Sequence, residues 1–322
     1  MHADFRNEAP GRAAPDATVA VVSICGPERL EACLAALDRQ RDPPSFEIVV
    51  AYDGERGGWE RLRALREDVV WVGAAPSPPL LAAAALRAAR GAVVLLTEDH
   101  CVPAPDWIRR LHAAAAGGAV VGAGAVGGPV ALTRLGRSSL EWAFHFSDFA
   151  PYVPPVEGGP SRSLSVCNVA YPRATLERLG PARVDAFDET RVHATIRRDV
   201  GPLVMVPDAL VVTGRRIRLA DALRERYTLG RLYGAVRFSD VPVVRRSLRA
   251  LATPGLPPLL LGRLARRSWR TPGAALRFSR GLPHLAVLVC AWSCGEAVGL
   301  LTGRGPLDVR IAPELADQGA RP

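Results

Sequence analysis

Residues 91–108 read GAVVLLTEDHCVPAPDWI. The run at 92–97 (AVVLLT) is short and apolar, the pattern of a strand buried on both faces. It stops at Glu98-Asp99-His100. Upstream, residues 80–90 are rich in Ala and Leu and predict a helix ending at Gly91, the residue type expected at a helix C-terminus. The same rhythm extends towards the N-terminus. Residues 18–24 (TVAVVSI) predict a first strand, and residues 27–39 a helix with Leu30, Leu34 and Leu37 on one face. Residues 46–50 (FEIVV) predict a second strand, followed by the breakers Asp53-Gly54 and Gly57-Gly58. A short helix at 59–66 and a strand at 69–72 complete the series. Strand and helix in alternation predict βαβ units and a mainly parallel sheet. Such sheets bind ligands at the carboxyl ends of their strands, where both Asp53 and the Glu98–His100 cluster fall.

Further on, an apolar run at 119–126 closes with Gly127-Gly128-Pro129. Residues 140–152 concentrate Trp142, Phe144, Phe146, Phe149 and Tyr152, a helix expected at the edge of the core or lining an acceptor cleft. Late strands are expected at 203–206 and 210–212, and beyond Arg215 the pattern turns helical and basic.

The 322-residue chain is 48% hydrophobic and 23% charged, which excludes a disordered polypeptide. All 41 basic residues are Arg, so Schiff-base and P-loop chemistry, which need Lys, are excluded. The six Cys (Cys25, Cys33, Cys101, Cys167, Cys290, Cys294) form no CxxC pair and read as reduced, mostly buried thiols rather than a zinc site. Residues 1–16 are polar without an apolar core, which predicts an N-terminal tail, no signal peptide and a cytoplasmic protein. The first strand runs into Ile24-Cys25-Gly26-Pro27, so the GxGxxG of a dinucleotide fold is missing.

On an extended backbone Glu98 and His100 point one way and Asp99 the other. A carboxylate and an imidazole together suit a divalent cation, with the imidazole favouring Mn²⁺ over Mg²⁺. The stretch 91–108, with Pro103 and Trp107-Ile108 after the acidic cluster, resembles the Asp-x-Asp segment of family 2 glycosyltransferases. The likeness continues in VAVVSICGPERLEACLAALDRQ, in EIVVAYDG and in SVCNVAYPRATLERLG, and covers roughly residues 19–212.

This resemblance implies a GT-A-like α/β fold, a mainly parallel mixed sheet flanked by helices, and an inverting, hexosyltransferase-like enzyme using a nucleotide-sugar donor. It implies that Asp53 reads the donor base, that Asp99 lies on the donor side, and that Asn168 and Arg173 lie on the acceptor side. Glu-Asp-His stands where the family has Asp-x-Asp, so Glu98 and His100 become the metal ligands, or the metal is dispensable. The family's acidic pair falls near Asp188-Glu189, leaving Glu189 or Asp188 as the base. Transfer with inversion needs such a base to take the acceptor hydroxyl proton and a cation to stabilise the departing diphosphate. Arg226 and Arg231, in RERYTLGRLYG, carry forks that match phosphate oxygens. A non-catalytic binding or scaffold protein on a decayed version of this fold is the alternative. The acceptor class, whether glycan, lipid-linked or small molecule, is left open.

The net charge of +9 is uneven. Residues 215–280 hold 16 Arg against Asp221, Glu225 and Asp240, a local charge of +13. That points to an anionic partner, and a membrane surface fits better than nucleic acid because aromatics for base stacking are few. Residues 285–301 are apolar apart from Ser293 and Glu296, short for a full membrane span. Ala291, Gly295, Gly299 and Gly303 recur every four residues as a stripe for close helix packing. With residues 257–261 (PPLLL) and Arg263, Arg266, Arg267 and Arg270 nearby, an interfacial hairpin at the inner membrane face is expected, or else a helical subdomain. The expected organisation is a tail at 1–16, a transferase domain at 17–214, a basic helical region at 215–310 and a tail at 311–322.

Overall fold

The computed structural model describes residues 13–118, 122–133, 138–180, 187–214, 217–238, 241–270 and 274–303. Residues 1–12 of the expected N-terminal tail, residues 119–121 of the apolar run and the tail at 311–322 lie outside them. Along the chain, β1 (Ala17–Ser23) precedes α1 (Pro27–Asp38), β2 (Phe46–Asp53) precedes α2 (Glu60–Leu65), and β3 (Val69–Ala74) precedes α3 (Pro78–Ala88). β4 (Val93–Glu98) and β5 (Cys101–Pro103) lead into α4 (Trp107–Ala113). Then come β6 (Ala125–Gly127), β7 (Val130–Leu132), α5 (Ser139–Phe149), β8 (Gly159–Ser161) and β9 (Val169–Pro172). α6 (Arg173–Leu179), α7 (Glu189–Asp199), β10 (Leu203–Met205) and β11 (Val211–Thr213) come next. The C-terminal part contains α8 (Leu219–Arg237), α9 (Val243–Ala252), α10 (Leu256–Arg270) and α11 (Ala274–Thr302).

The chain divides into two compact units, one of Met1–Ala131 with Val156–Thr213, the other of Leu132–Pro155 with Gly214–Pro322. The first is built on an eight-stranded sheet of order β3-β2-β1-β4-β9-β6-β10-β8, with a small sheet β5-β11-β7 beside it. It is the α/β mixed sheet flanked by helices that the sequence predicts. β3, β2, β1 and β4 are mutually parallel, while β9 runs antiparallel to both β4 and β6. Every residue of β1 and of β4 is buried, which is why both read as unbroken apolar runs.

Gly91 has a different task from the one expected. α3 ends earlier, at Ala88, with an extended cap residue, Ala89. Any Cβ on Gly91 would collide with the backbone of Ala17 and Thr18, and the Gly91 N–H donates to Thr18 Oγ1 at 2.8 Å. Glycine here allows the chain to enter β4 tightly against β1.

The second unit is helical. Trp142, Ala143 and Phe146 of α5 bury against Ala222, Phe278, Leu285 and Leu288. The aromatic stretch is therefore a core helix, and it belongs with the C-terminal helices rather than with the sheet. α8 and α11 pack backbone to backbone. A Cβ at Gly230 or Gly234 would collide with the carbonyls of Trp292 or Glu296, and one at Gly295 or Gly299 with those of Tyr227 or Arg231. Four glycines at matching heights thus serve contact within the chain. α11 is long and apolar enough to cross a membrane by length and composition, but Leu285, Leu288, Val289 and Leu300 are buried inside the unit.

Candidate functional site

β1, β2 and β4 end at one edge of the sheet, because Val22 is level with both Ala51 and Glu98. The residues just beyond these strands are thereby gathered. The Asp99 N–H donates to the Val22 carbonyl at 3.1 Å, extending the ladder by one bond. Its carboxylate turns inward, where Oδ2 accepts from Ser23 Oγ at 2.7 Å and from the N–H groups of Cys25 and Gly26 at 2.7 and 3.1 Å. Asp99, 1% exposed, thus fixes the β1–α1 turn through one of its two oxygens. Gly26 sits in the left-handed region at φ 99°, and a Cβ there would come within 2.9 Å of the Arg56 guanidinium. Arg56 therefore lies over this turn, a cation at the strand ends that the sequence reading did not single out.

Glu98 and His100 share a side, as the strand alternation predicts, with His100 Nδ1 3.4 Å from Glu98 Oε2. Burial pushes the Glu98 carboxyl up to about 7, with partial relief from His100. His100 Nδ1 is also 3.8 Å from the second Asp99 oxygen, Oδ1. Both of these atoms are buried without a hydrogen-bond partner among the described residues. Thiols complete the surroundings. Ligand atoms of Cys25, Asp99 and His100 lie within 4.8 Å of one another, and so do those of His100, Cys101 and Cys167. In the sequence these cysteines look scattered; the strand order brings them to one imidazole. The only sequence signal was Cys101 directly after His100.

Glu189 is the first residue of α7 and Asp188 its N-cap. Asp188 Oδ1 accepts the Arg191 N–H at 3.1 Å and Oδ2 lies 3.4 Å from Arg191 Nε. That capping duty separates the two acids. The Glu189 carboxylate instead turns towards the turn at 165–168, where the Val166 N–H bonds to it. Burial pushes Glu189 up to about 8, against the pull of that bond, and the Glu98 carboxylate adds repulsion. About a third of the side chain, 34%, keeps contact with solvent. Below it His193 is buried, its Nδ1 4.0 Å from Glu189 Oε1 and its Nε2 2.9 Å from the Tyr171 hydroxyl. Burial, with help from Arg197, lowers His193 to about 4, so the ring is neutral near pH 7.

Asp53 closes β2, half-buried, with Oδ1 accepting the Glu55 N–H at 3.0 Å and its carbonyl accepting Trp59 Nε1–H at 3.1 Å. Tyr52, Trp59 and Trp71 form an aromatic cluster beneath this turn.

The two residues expected on the acceptor side are both tied to main-chain carbonyls. Asn168 is fully buried, and its side chain is spent: Nδ2 donates to the carbonyls of Pro129 and Ala209, and Oδ1 accepts from Trp107 Nε1. Arg173 lies at the opposite edge of the sheet, because Pro172 is level with Val93 at the start of β4. Its guanidinium donates to the Gly91 and Ala89 carbonyls just after α3, both at 2.8 Å. Arg226 is also committed. In the helical unit its Nη1 and Nη2 hold Asp148 at 2.5 and 3.0 Å, and its face rests on the Phe144 ring at 4.4 Å. Arg231, half-buried on the same helix, has its Nε buried without a hydrogen-bond partner among the described residues.

No family model and no curated protein matches this chain. Among solved structures the chain is similar to the mannosyltransferase PcManGT from Pyrobaculum calidifontis in complex with GDP-mannose and Mn²⁺. The TM-score is 0.48 at 21% identity, over 96% of this chain and 80% of that one.

Proposed function

We propose that the chain is an inverting glycosyltransferase that takes its sugar from a nucleotide-sugar donor. One observation carries the reading: Asp53, Glu98 and His100 come at the ends of parallel strands that finish at one sheet edge, and Glu189 lies within electrostatic reach of Glu98. Ligands of doubly wound sheets bind at such an edge. Asp53, at the end of β2, accepts hydrogen bonds from the donor base. Arg56 offers a fork to phosphate oxygens across the β1–α1 turn. Glu189 takes the acceptor proton. The acceptor oxygen forms its bond to the anomeric carbon as the bond to the diphosphate breaks, and the diphosphate leaves with the electron pair. Asp188 holds the helix end that presents Glu189, and His193, neutral and tied to Tyr171, packs beneath it without competing for the proton.

A divalent cation suits the residues present. The unpartnered Asp99 Oδ1 and His100 Nδ1 with the Cys25 thiol would hold it, and Glu98, 3.4 Å from His100 Nδ1, lies beside them as a further ligand. This mixed oxygen, nitrogen and sulfur set fits a first-row ion such as Mn²⁺ better than Mg²⁺, which prefers oxygen alone. Bound there, the cation would supply charge stabilisation to the departing diphosphate. The cysteines, with no CxxC pair in the sequence, suit a reducing compartment, and the +13 segment suits an anionic membrane at its inner face, with the acceptor a glycan, a lipid-linked group or a small molecule.

Glu189→Gln tests the reading, since it keeps the shape and removes the base. Turnover should fall by about 10²–10⁴ while nucleotide affinity in calorimetry is unchanged. Undiminished turnover in both Glu189→Gln and Asp188→Asn would remove both acids from the reaction. Nucleotide binding without turnover in the unmodified chain would favour the non-catalytic alternative.

A further inference from the structure

The membrane partner proposed above needs a surface, and the hydropathy of the sequence points to residues 285–301. Much of that apolar surface is already used, since α11 buries Leu285, Leu288, Val289 and Leu300 and sets Gly295 and Gly299 against α8. Among the described residues the most exposed set of large aliphatic side chains lies on α9, while Leu276, Leu282, Val287 and Leu301 of α11 are 40–60% exposed. Val243, Val244, Leu248 and Leu251 are between 61% and 78% exposed. At helical spacing these four fall within one arc. The rest of the helix faces inward or sideways: Ala250 is buried, and Arg246 donates from Nε and Nη2 to the Leu300 and Gly299 carbonyls at 2.9 and 3.3 Å. Arg249 stacks on the Phe238 ring at 4.3 Å, and Arg245 is exposed beside the apolar arc.

An amphipathic helix normally turns its apolar side towards the core. Here the packing side is a small residue and an arginine that caps α11, while the large aliphatic side chains point away. Charge narrows the occupant. From residue 241 to 295 there are nine Arg and no Asp or Glu. The neighbouring α10 adds exposed Arg263 and Arg266, with Leu259 and Trp269 also exposed. A second copy of the chain would bring like charges together. Anionic lipid satisfies both halves of the pattern, since acyl chains receive the aliphatic arc and headgroups receive the arginines.

We propose that α9 is an in-plane membrane anchor, inserted by Val243, Val244, Leu248 and Leu251 into an anionic leaflet and held there by flanking arginines. The inference rests on the membrane partner named above and is independent of the catalytic assignment.

Cosedimentation of the full chain with phosphatidylcholine vesicles, with and without phosphatidylglycerol, tests it at low and high salt. Binding should need phosphatidylglycerol, weaken at high salt without vanishing, and be reversed by alkaline carbonate. Leu248→Asp combined with Leu251→Asp should weaken vesicle binding by about tenfold or more, because charge is placed where the arc enters the acyl region. Val287→Asp, on the exposed side of α11, should bind as the unmodified chain does. Nucleotide affinity, measured alongside, should be the same in all three, which shows that the variants fold and keeps this result separate from the enzyme reading. Undiminished binding by the α9 double variant, or loss of binding in Val287→Asp, would overturn the proposal in favour of α11. Resistance to carbonate would do the same. A chain that ignores anionic vesicles, or whose double variant only shifts a dimer to a monomer, would leave α9 a protein-binding face and end the membrane reading.

Discussion

Around Glu98 and Glu189 the sheet unit crowds carboxyl groups into buried space, whereas residues 241–295 of the helical unit carry nine Arg and no acid. The two regions handle buried charge differently. Arg226, 4% exposed, is neutralised in place by Asp148 and Glu225, with distances of 2.5 and 3.5 Å. Glu98 and Glu189 have no such arginine among their bonded partners in the described residues, so burial raises both. A paired buried charge is a structural element, while raised carboxyls beside an orphaned imidazole atom mark a candidate functional site.

The sharpest way to break that division is to remove a polar side chain that the fold has fully consumed. Asn168→Ala strips Trp107 Nε1–H and the Pro129 and Ala209 carbonyls of their partner at once. Leaving several buried polar groups unsatisfied costs about 3 kcal/mol or more, so thermal unfolding should drop by many degrees. If instead the melting temperature holds and only acceptor KM rises, Asn168 faces an acceptor after all.

Next in size is the ion pair of the helical unit. Asp148→Asn keeps the shape and removes the charge opposite Arg226. Because Glu225 remains nearby, the loss should be about 1.5–3 kcal/mol, read as a lower melting temperature. Donor KM should stay within experimental scatter. A changed donor KM would return Arg226 to the diphosphate.

A comparable effect on binding, with none on folding, is expected in the sheet unit. Asp53→Ala should weaken nucleotide binding by roughly tenfold to a hundredfold through one lost charged hydrogen bond. Unchanged affinity in calorimetry would take Asp53 out of the site.

These contrasts also mark how far the sequence was legible. β1 and β4 were readable because strands buried on both faces leave uninterrupted apolar runs, and Asp53, Glu98 and His100 were readable because they end such runs. Asn168 and Arg173 were singled out by the resemblance of residues 165–180 to a family segment, not by any pattern of their own. Their partners are distant main-chain carbonyls: those of Pro129 and Ala209 for one, of Gly91 and Ala89 for the other. No local pattern encodes such ties. The cysteines around His100 were hidden for the same reason, since sheet order rather than spacing assembles them. In the helical unit, hydropathy located apolar helices correctly but not their partners. The glycine stripe of α11 is satisfied within the chain, and the most exposed aliphatic arc among the described residues belongs to the less apolar α9.

The smallest expected effect concerns pH, and it separates the two kinds of buried charge directly. Glu98 and Glu189 are raised by burial to about 7 and about 8, from an ordinary 4.5. A folded state that holds protons more tightly than the unfolded chain loses stability as pH rises through those values. His193, lowered to about 4 from 6.5, acts in the opposite sense, but only below its unfolded value. The window from 6.5 to 8 therefore belongs to the two carboxyls. In chelator the melting temperature should fall across it, with a slope of about 1 kcal/mol per pH unit or less, because Glu189 is partly open to solvent. Glu98→Gln should flatten the lower half of that slope, and Mn²⁺ should raise the melting temperature more as pH climbs, since it binds the ionised form. Asp148 lies in the helical unit, hydrogen-bonded to Arg226 and apart from both raised carboxyls, so Asp148→Asn should leave the slope as it was. If Glu98→Gln falls as steeply as the unmodified chain in the lower half of the window, Glu98 is not the raised carboxyl, and the contrast between the units rests on Glu189 alone.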